Sequence, residues 1–177
     1  MLKPYNSNEL YFFIMRGVPG CGKSTFTTQY MTKVSNVIES DVIREKMSGR
    51  IVENGRECIN QANGAIVWEE IHRQIEQSLA SNRSTTIDAT NINMWQLKNY
   101  EKIAEKYNAE LIIIDFSDIS LEEAKTRNSL RIPEYKRVPN KVIERMYRDL
   151  IKQNTNMSTV KALHNHIEIL YWLQDVI

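Results

Sequence analysis

Cysteine is nearly missing from this sequence: Cys21 and Cys58 are its only two in 177 residues. That excludes a disulfide framework and suits a reducing compartment, so a cytoplasmic location is expected. Glycine and proline are also sparse, at 6 and 4, and no Gly/Ser linker, Pro-rich tract or internal repeat divides the chain. With 42% hydrophobic residues to fill a core, one domain over 1–177 is expected. Charge of one sign is lacking too. The 23 Lys and Arg against 22 Asp and Glu leave a net charge of +1, which excludes a uniformly basic nucleic-acid coat but not a local patch. No apolar run is long enough to cross a bilayer, and Met1 to Asn8 has no apolar signal core, so no membrane partner is expected. Nothing in the composition sets an oligomeric state.

What is present is concentrated in one stretch. Gly17-Val18-Pro19-Gly20-Cys21-Gly22-Lys23-Ser24-Thr25 satisfies every required position of the phosphate-binding pattern G-x-x-x-x-G-K-[ST]. Glycines let successive backbone N–H groups turn toward phosphate oxygens, and the following helix directs its positive end at the same charge. Lys23 would reach the β- and γ-phosphates and the Ser24 hydroxyl would bind Mg²⁺. The context agrees: the apolar run Leu10–Met15 before the loop reads as a buried parallel strand, and Ser24–Thr32 after it lacks Gly and Pro. ATP or another nucleoside triphosphate, with Mg²⁺, is the expected cofactor set. The expected fold is α/β, a three-layer sandwich of the P-loop NTPase type, with a central mostly parallel sheet and a basic helical lid.

Further strands are expected at Asn36–Ser40, Thr85–Asn91 and Leu111–Phe116. Helices are expected over Asp41–Met47, Cys58–Ala80, Met94–Tyr107 and Ser120–Asn128, the last with Ser120 and Glu123 as a capping box. In the long helix Ile59, Ala62, Ile66, Ile71, Ile75 and Leu79 form the expected apolar face; Trp95, Leu97, Tyr100, Ile103 and Ala104 do so in the next. Asp41 and Asp88 both stand at strand C-terminal ends, where open parallel sheets bind ligands. Each has a plainer reading as a helix cap, and Arg44 as a surface partner of Asp41. From Lys125 to Lys152 there are about nine Lys/Arg against about three Asp/Glu. That stretch reads as a lid over phosphates at about 127–140, as a nucleic-acid groove, or as a solvated helix face. His166–Leu173 fits either an edge strand or a docking helix.

These are the parts of a phosphoryl transferase. Such transfer is chiefly positioning and charge neutralisation, with a carboxylate taking the acceptor hydroxyl's proton. Asp41 is then the candidate base, Lys23 and Arg127 the cations facing the transferred group, and Arg44 with Thr90 an acceptor clamp. The motifs G-V-P-G-C-G-K-S-T, S-D-V-I-R, D-A-T-N-I-N, A-K-T-R-N-S-L-R and R-V-P before a helix with Met146 and Tyr147 resemble, in order and spacing, the 5′-kinase domain of phage polynucleotide kinases. The resemblance implies Asp41 as general base, Arg44 holding the acceptor's phosphate, Asp88 with Thr90 and Asn91 in the acceptor site, and Arg127 with Arg131 on the donor phosphates. The acceptor motif differs in carrying Ala89 between Asp88 and Thr90. The family's Asp-x-Asp-Gly-Thr phosphatase signature is absent, so a kinase acting on the 5′-OH end of a nucleic acid, without 3′-phosphatase activity, is expected. Kinases of small metabolites, nucleosides or modified bases, including zeta-type toxins, share this scaffold. A non-enzymatic nucleotide switch would have no use for the Asp41 and Arg44 pair.

Overall fold

Tyr11–Arg16 forms strand β1, every residue of which is buried. Its side chains alternate between two apolar layers: Tyr11, Phe13 and Met15 enter one, Phe12 and Ile14 the other, as the period of two requires when both faces are covered. The computed structural model describes residues 2–157, 160, 162–174 and 176. In chain order the elements are β1, α1 (Lys23–Phe26), a π-helical turn (Thr27–Met31), α2 (Thr32–Val34), β2 (Asn36–Glu39), α3 (Ser40–Ser48), β3 (Arg50–Glu53), β4 (Arg56–Ile59) and α4 (Gly64–Ala80). Then follow β5 (Thr85–Asp88), α5 (Met94–Lys106), β6 (Glu110–Asp115), α6 (Leu121–Ser129), a 3₁₀ turn (Glu134–Lys136), α7 (Asn140–Met157), β7 (Leu163–Asn165) and α8 (His166–Leu173).

Five parallel strands make the central sheet in the order β2-β5-β1-β6-β7. Residues of the α1–π segment, α6, α7 and α8 cover one face; α3, α4 and α5 contribute to the layer on the other. From β1 the chain winds first toward β2 and β5, then back to β6 and β7. The reversal leaves a crevice at the C-terminal end of β1, the place where open α/β sheets bind ligands.

Two expectations fail here. The chain from Cys58 is not yet helical: β3 and β4 form an antiparallel hairpin closed by Asn54 and Gly55, with φ of 52° and 75°, the left-handed pair that a tight two-residue turn demands. Helix α4 starts only after Asn63, itself at φ 59°, and its buried face is Val67, Ile71, Ile75 and Leu79, with Ile66 54% exposed. Likewise Trp95 is 59% exposed, whereas Leu97, Tyr100 and Ala104 are buried. Of the two alternatives for His166–Leu173 the helix forms, α8, capped by the Asn165 Oδ1 accepting from the Ile167 N–H; an edge strand, β7, precedes it beside β6. Residues 158, 159, 161, 175 and 177 of that stretch lie outside the described residues. The cap of α6 forms as expected, Ser120 Oγ accepting from Glu123 N–H at 3.2 Å.

At the ends of β1 and β6 sits one buried ion pair. Arg16 is fully buried and donates to Asp115 Oδ1 at 2.6 Å and to Asn154 Oδ1 of α7 at 2.8 Å; Ser117 donates to the other Asp115 oxygen. The pair thus ties two strand ends to a helix next to the phosphate-binding loop. Replacing Asp115 alone strands a buried cation, so Asp115→Asn is expected to lower stability by about 3–5 kcal/mol, whereas the joint change of Arg16→Met with Asp115→Leu loses far less. Urea unfolding of the single and double variants checks this.

Candidate active site

Residues 17–22 link β1 to α1, and Lys23, Ser24 and Thr25 open that helix. Val18 and Cys21 are 1% exposed and packed into the apolar layer beneath, while Ser24 and Thr25 face solvent. Gly20 is required by contact as well as by its φ of 84°: a Cβ there would lie 2.1 Å from the Ala124 carbonyl oxygen of α6. Gly22, at φ 109°, presents its bare Cα toward Arg127, whose Nη1 would stand 3.4 Å from an added Cβ. Lys23 is buried, and its Nζ donates to the Gly17 and Val18 carbonyls, both at 2.9 Å. On the far side the Gly17 N–H donates to the Thr90 carbonyl at 3.0 Å, which joins the loop to the segment after β5.

Three carboxylates gather at this sheet edge. Asp88 ends β5, with Glu39 of β2 opposite it in register, and Asp41 lies in the first turn of α3. Asp88 is buried, and burial pushes its pKa up; Lys23, the Ser24 hydroxyl and Arg131 pull it down, and Asp41 pushes it up. Glu39 is likewise raised, first by burial and then by Asp88, with Lys136 opposing. One carboxyl therefore senses the loop lysine, the loop serine, the α3 aspartate and an arginine of the basic connection together. No side chain caps the N-terminus of α3, so capping does not account for Asp41.

The remaining expected residues divide. Arg127, in the last turn of α6, donates to the Cys21 carbonyl at 3.2 Å and pairs with Glu123 at 2.5 Å. Arg44 donates to Gln61 Oε1 at 3.0 Å, away from the loop. Asn91 is 1% exposed; its amide donates to the Met15 carbonyl at 2.8 Å and its oxygen accepts from Tyr100, so its side chain holds the segment after β5 against β1. Glu39 and Lys136 were not singled out from the sequence. Glu39 carried a usable signal, being the last residue of a strand at the ligand edge; Lys136 had only its membership of a basic run.

The connection between α6 and α7 is seated on the hairpin. Arg50 of β3 stacks over the Tyr135 ring at 4.5 Å and pairs with Glu45 and Glu57, and Tyr135 donates to Glu45 at 3.4 Å. Among the described residues no group of three or more His, Cys, Asp or Glu could by itself hold a metal ion, and no helix is long and apolar enough to cross a membrane.

A phosphate-binding loop at the C-terminal end of the central strand of a parallel sheet, faced by strand-end carboxylates, defines an α/β protein with the fold of P-loop kinases. The family model described as an AAA domain matches residues 12–151, and the chain belongs to that family. No curated protein matches the sequence significantly. Among solved structures, a chain of the Pnkp1/Rnl/Hen1 RNA repair complex superposes with a TM-score of 0.64 at 22% identity, over 84% of this chain and 46% of that one. The AvrRxo1-ORF1:-ORF2 structure with ATP gives 0.64 at 14% identity, over 89% and 55%. A gluconokinase from Sinorhizobium meliloti 1021 gives 0.56 at 13%, over 95% and 90%. The chain thus spans about half the length of the first two. At these identities the likeness is one of fold.

The raised pKa of Asp88 has a thermodynamic sign. A carboxyl that holds its proton more tightly folded than unfolded loses stability as pH rises from its unfolded pKa through its folded one, and the loss is complete above that. Asp88→Asn removes the buried charge. The variant is expected to be more stable than the parent at neutral pH and to show a flatter pH dependence of stability just above the ordinary carboxylate range. Urea melts across that range measure both.

Proposed function

We propose that the chain is a P-loop phosphotransferase that moves the γ-phosphoryl group of ATP to a hydroxyl of a nucleic acid, most simply a 5′-OH end of DNA or RNA. The observation that carries this reading is the placement at one sheet edge of the phosphate-binding loop after β1, Asp88 at the end of β5 and Asp41 in the first turn of α3, with Arg127 of α6 on the loop. The donor set fits a nucleotide: Gly17, Gly20 and Gly22 at positive φ, the lysine Lys23, the exposed Ser24 hydroxyl and Arg127 at the loop's edge.

Gly17 to Thr25 would hold the phosphates, Ser24 would ligate Mg²⁺, and Arg131 would join Arg127 on the donor side. When bound, ATP with Mg²⁺ supplies the transferable phosphoryl group and partial neutralisation of its charge. Lys23 and Arg127 then counter the charge of the transferred group. Asp41 accepts the acceptor hydroxyl's proton as the new O–P bond forms and the bond to the departing ADP oxygen breaks. Arg44, five residues after the end of β2, would reach the acceptor's own phosphate, with Asp88 and Thr90 lining the acceptor side. Asn91 serves that side through the backbone it anchors. The segment of about 127–140 acts as a lid, within one kinase domain spanning 1–177.

A second reading has one observation in its favour: the gluconokinase is matched over 90% of its length, so a chain of this size is sufficient for a kinase of a small polyol or nucleoside. A panel of hydroxyl acceptors with labelled ATP separates the two. Label in 5′-OH oligonucleotides supports the first, and label confined to a sugar or nucleoside overturns it. In whichever acceptor is labelled, Asp41→Asn is expected to slow turnover by about a hundredfold or more while ATP affinity stays within error. Turnover equal to the parent's would remove Asp41 from the chemistry.

A further inference from the structure

Helix α7 packs Ile143 and Leu150, both fully buried, into the core. Diametrically opposite, Lys141, Arg145, Arg148 and Lys152 project to solvent. At 100° per residue the four fall within about 60° of arc and follow one another in axial steps of about 4.5–6 Å over about 16 Å. Among the described residues none of the four makes a salt bridge or side-chain hydrogen bond, while Glu144 on one flank is taken by Lys125 at 3.2 Å. Asp149, on the other flank, is the stripe's second acidic neighbour. An ordinary solvated face intersperses both signs and carries i,i+4 pairs; this one presents a single sign in a line.

The helix that carries the stripe is linked to the site. Helix α7 begins one residue after the basic connection that holds Arg131 and Lys136, and near its other end Asn154 accepts from Arg16, the residue that precedes the loop. Both ends of the helix are thus tied to the edge where the loop opens. We propose that this outer face of α7 is a track for the sugar-phosphate backbone of a single-stranded nucleic acid, holding the acceptor strand beyond the nucleotide whose hydroxyl reacts. The choice of nucleic acid rests on the acceptor reading above; the regular line of cations stands independently of it. Evenly spaced positive charge complements an evenly repeating polyanion. A membrane surface fits poorly, because interfacial helices insert an apolar face and that of α7 is already in the core.

The test compares the parent with the variant K141Q/R145Q/R148Q/K152Q. Glutamine keeps the helix propensity of the residues it replaces, and an unchanged melting temperature verifies the fold. The probe is a fluorescein-labelled 5′-OH oligothymidylate of about twenty nucleotides, longer than the roughly 4–16 that one single-strand-binding fold covers. Followed by anisotropy against salt, the parent is expected to bind with an affinity that falls steeply. The variant is expected to bind tenfold or more weakly, its log–log salt slope flatter by roughly three, since each lost phosphate contact removes about 0.7. In turnover KM for the oligonucleotide rises while kcat and ATP affinity hold. The charge-preserving R145K/R148K should behave as the parent. Equal oligonucleotide affinity in parent and variant overturns the track, as does parent binding to phosphatidylserine vesicles, lost in the variant, without binding to the oligonucleotide. If the parent labels only a sugar yet binds the oligonucleotide through the stripe, the acceptor reading falls and the track stands. Labelled oligonucleotide with a silent stripe gives the reverse.

Discussion

The bare Cα of Gly20 lets a helix sit on a loop, and much of the site's geometry depends on that contact. With no side chain in the way, the backbone of α6 at Ala124 comes so close to the loop that a single methyl group would collide with its carbonyl. The same approach delivers Arg127, one turn further on, to the Cys21 carbonyl. It also places Asn128 where its amide donates to the Val138 carbonyl at 2.8 Å and its oxygen accepts from the Val138 N–H at 3.0 Å. One steric condition in the loop therefore sets α6, and α6 sets both ends of the basic connection. Such a close approach of backbone to backbone is a use to which only glycine is suited.

Charge at the sheet edge is organised by topology. The carboxylates arrive on β2, α3 and β5, and the cations on the loop, α6 and the connection after it. Parallel strands bring their C-terminal ends to one edge, so residues far apart in sequence but alike in position at their strands' ends become neighbours. The near-neutral net charge is thus compatible with a strongly structured field. Burial at that edge makes the field count, since the buried Asp88 responds to partners that water would otherwise screen.

Legibility in the sequence followed how local each signal was. The strands and the Ser120 cap depend on residues adjacent in the chain; the cap forms as expected and the strands lie within one residue of expectation except that β5 ends at Asp88 rather than Asn91. The hairpin carries a local turn signal in Asn54-Gly55, but isoleucines at 59 and 66 extend the apparent helical period backward into its second strand. Trp95 was misassigned because hydrophobicity alone does not distinguish the first exposed turn of a helix from its packed middle. The Arg16–Asp115 pair joins residues 99 apart and has no local signature beyond a charge at the C-terminal end of each of two apolar runs. Glu39 illustrates the intermediate case, visible from its place at a strand end but overshadowed by Asp41.

The seating of the 131–139 connection on the hairpin has a consequence for how different parts of the molecule respond to their surroundings. Its contacts there are the Arg50 guanidinium over the Tyr135 ring and the bond from the Tyr135 phenol to the Glu45 carboxylate, with no buried apolar residue in the 3₁₀ turn itself. Interactions of that kind are individually worth about a kilocalorie per mole or less and are screened by dissolved ions. The sheet and its two apolar layers are held by burial, which ionic strength hardly weakens. The molecule therefore carries two kinds of cohesion side by side, and the seating of this connection is of the kind that the surrounding salt tunes.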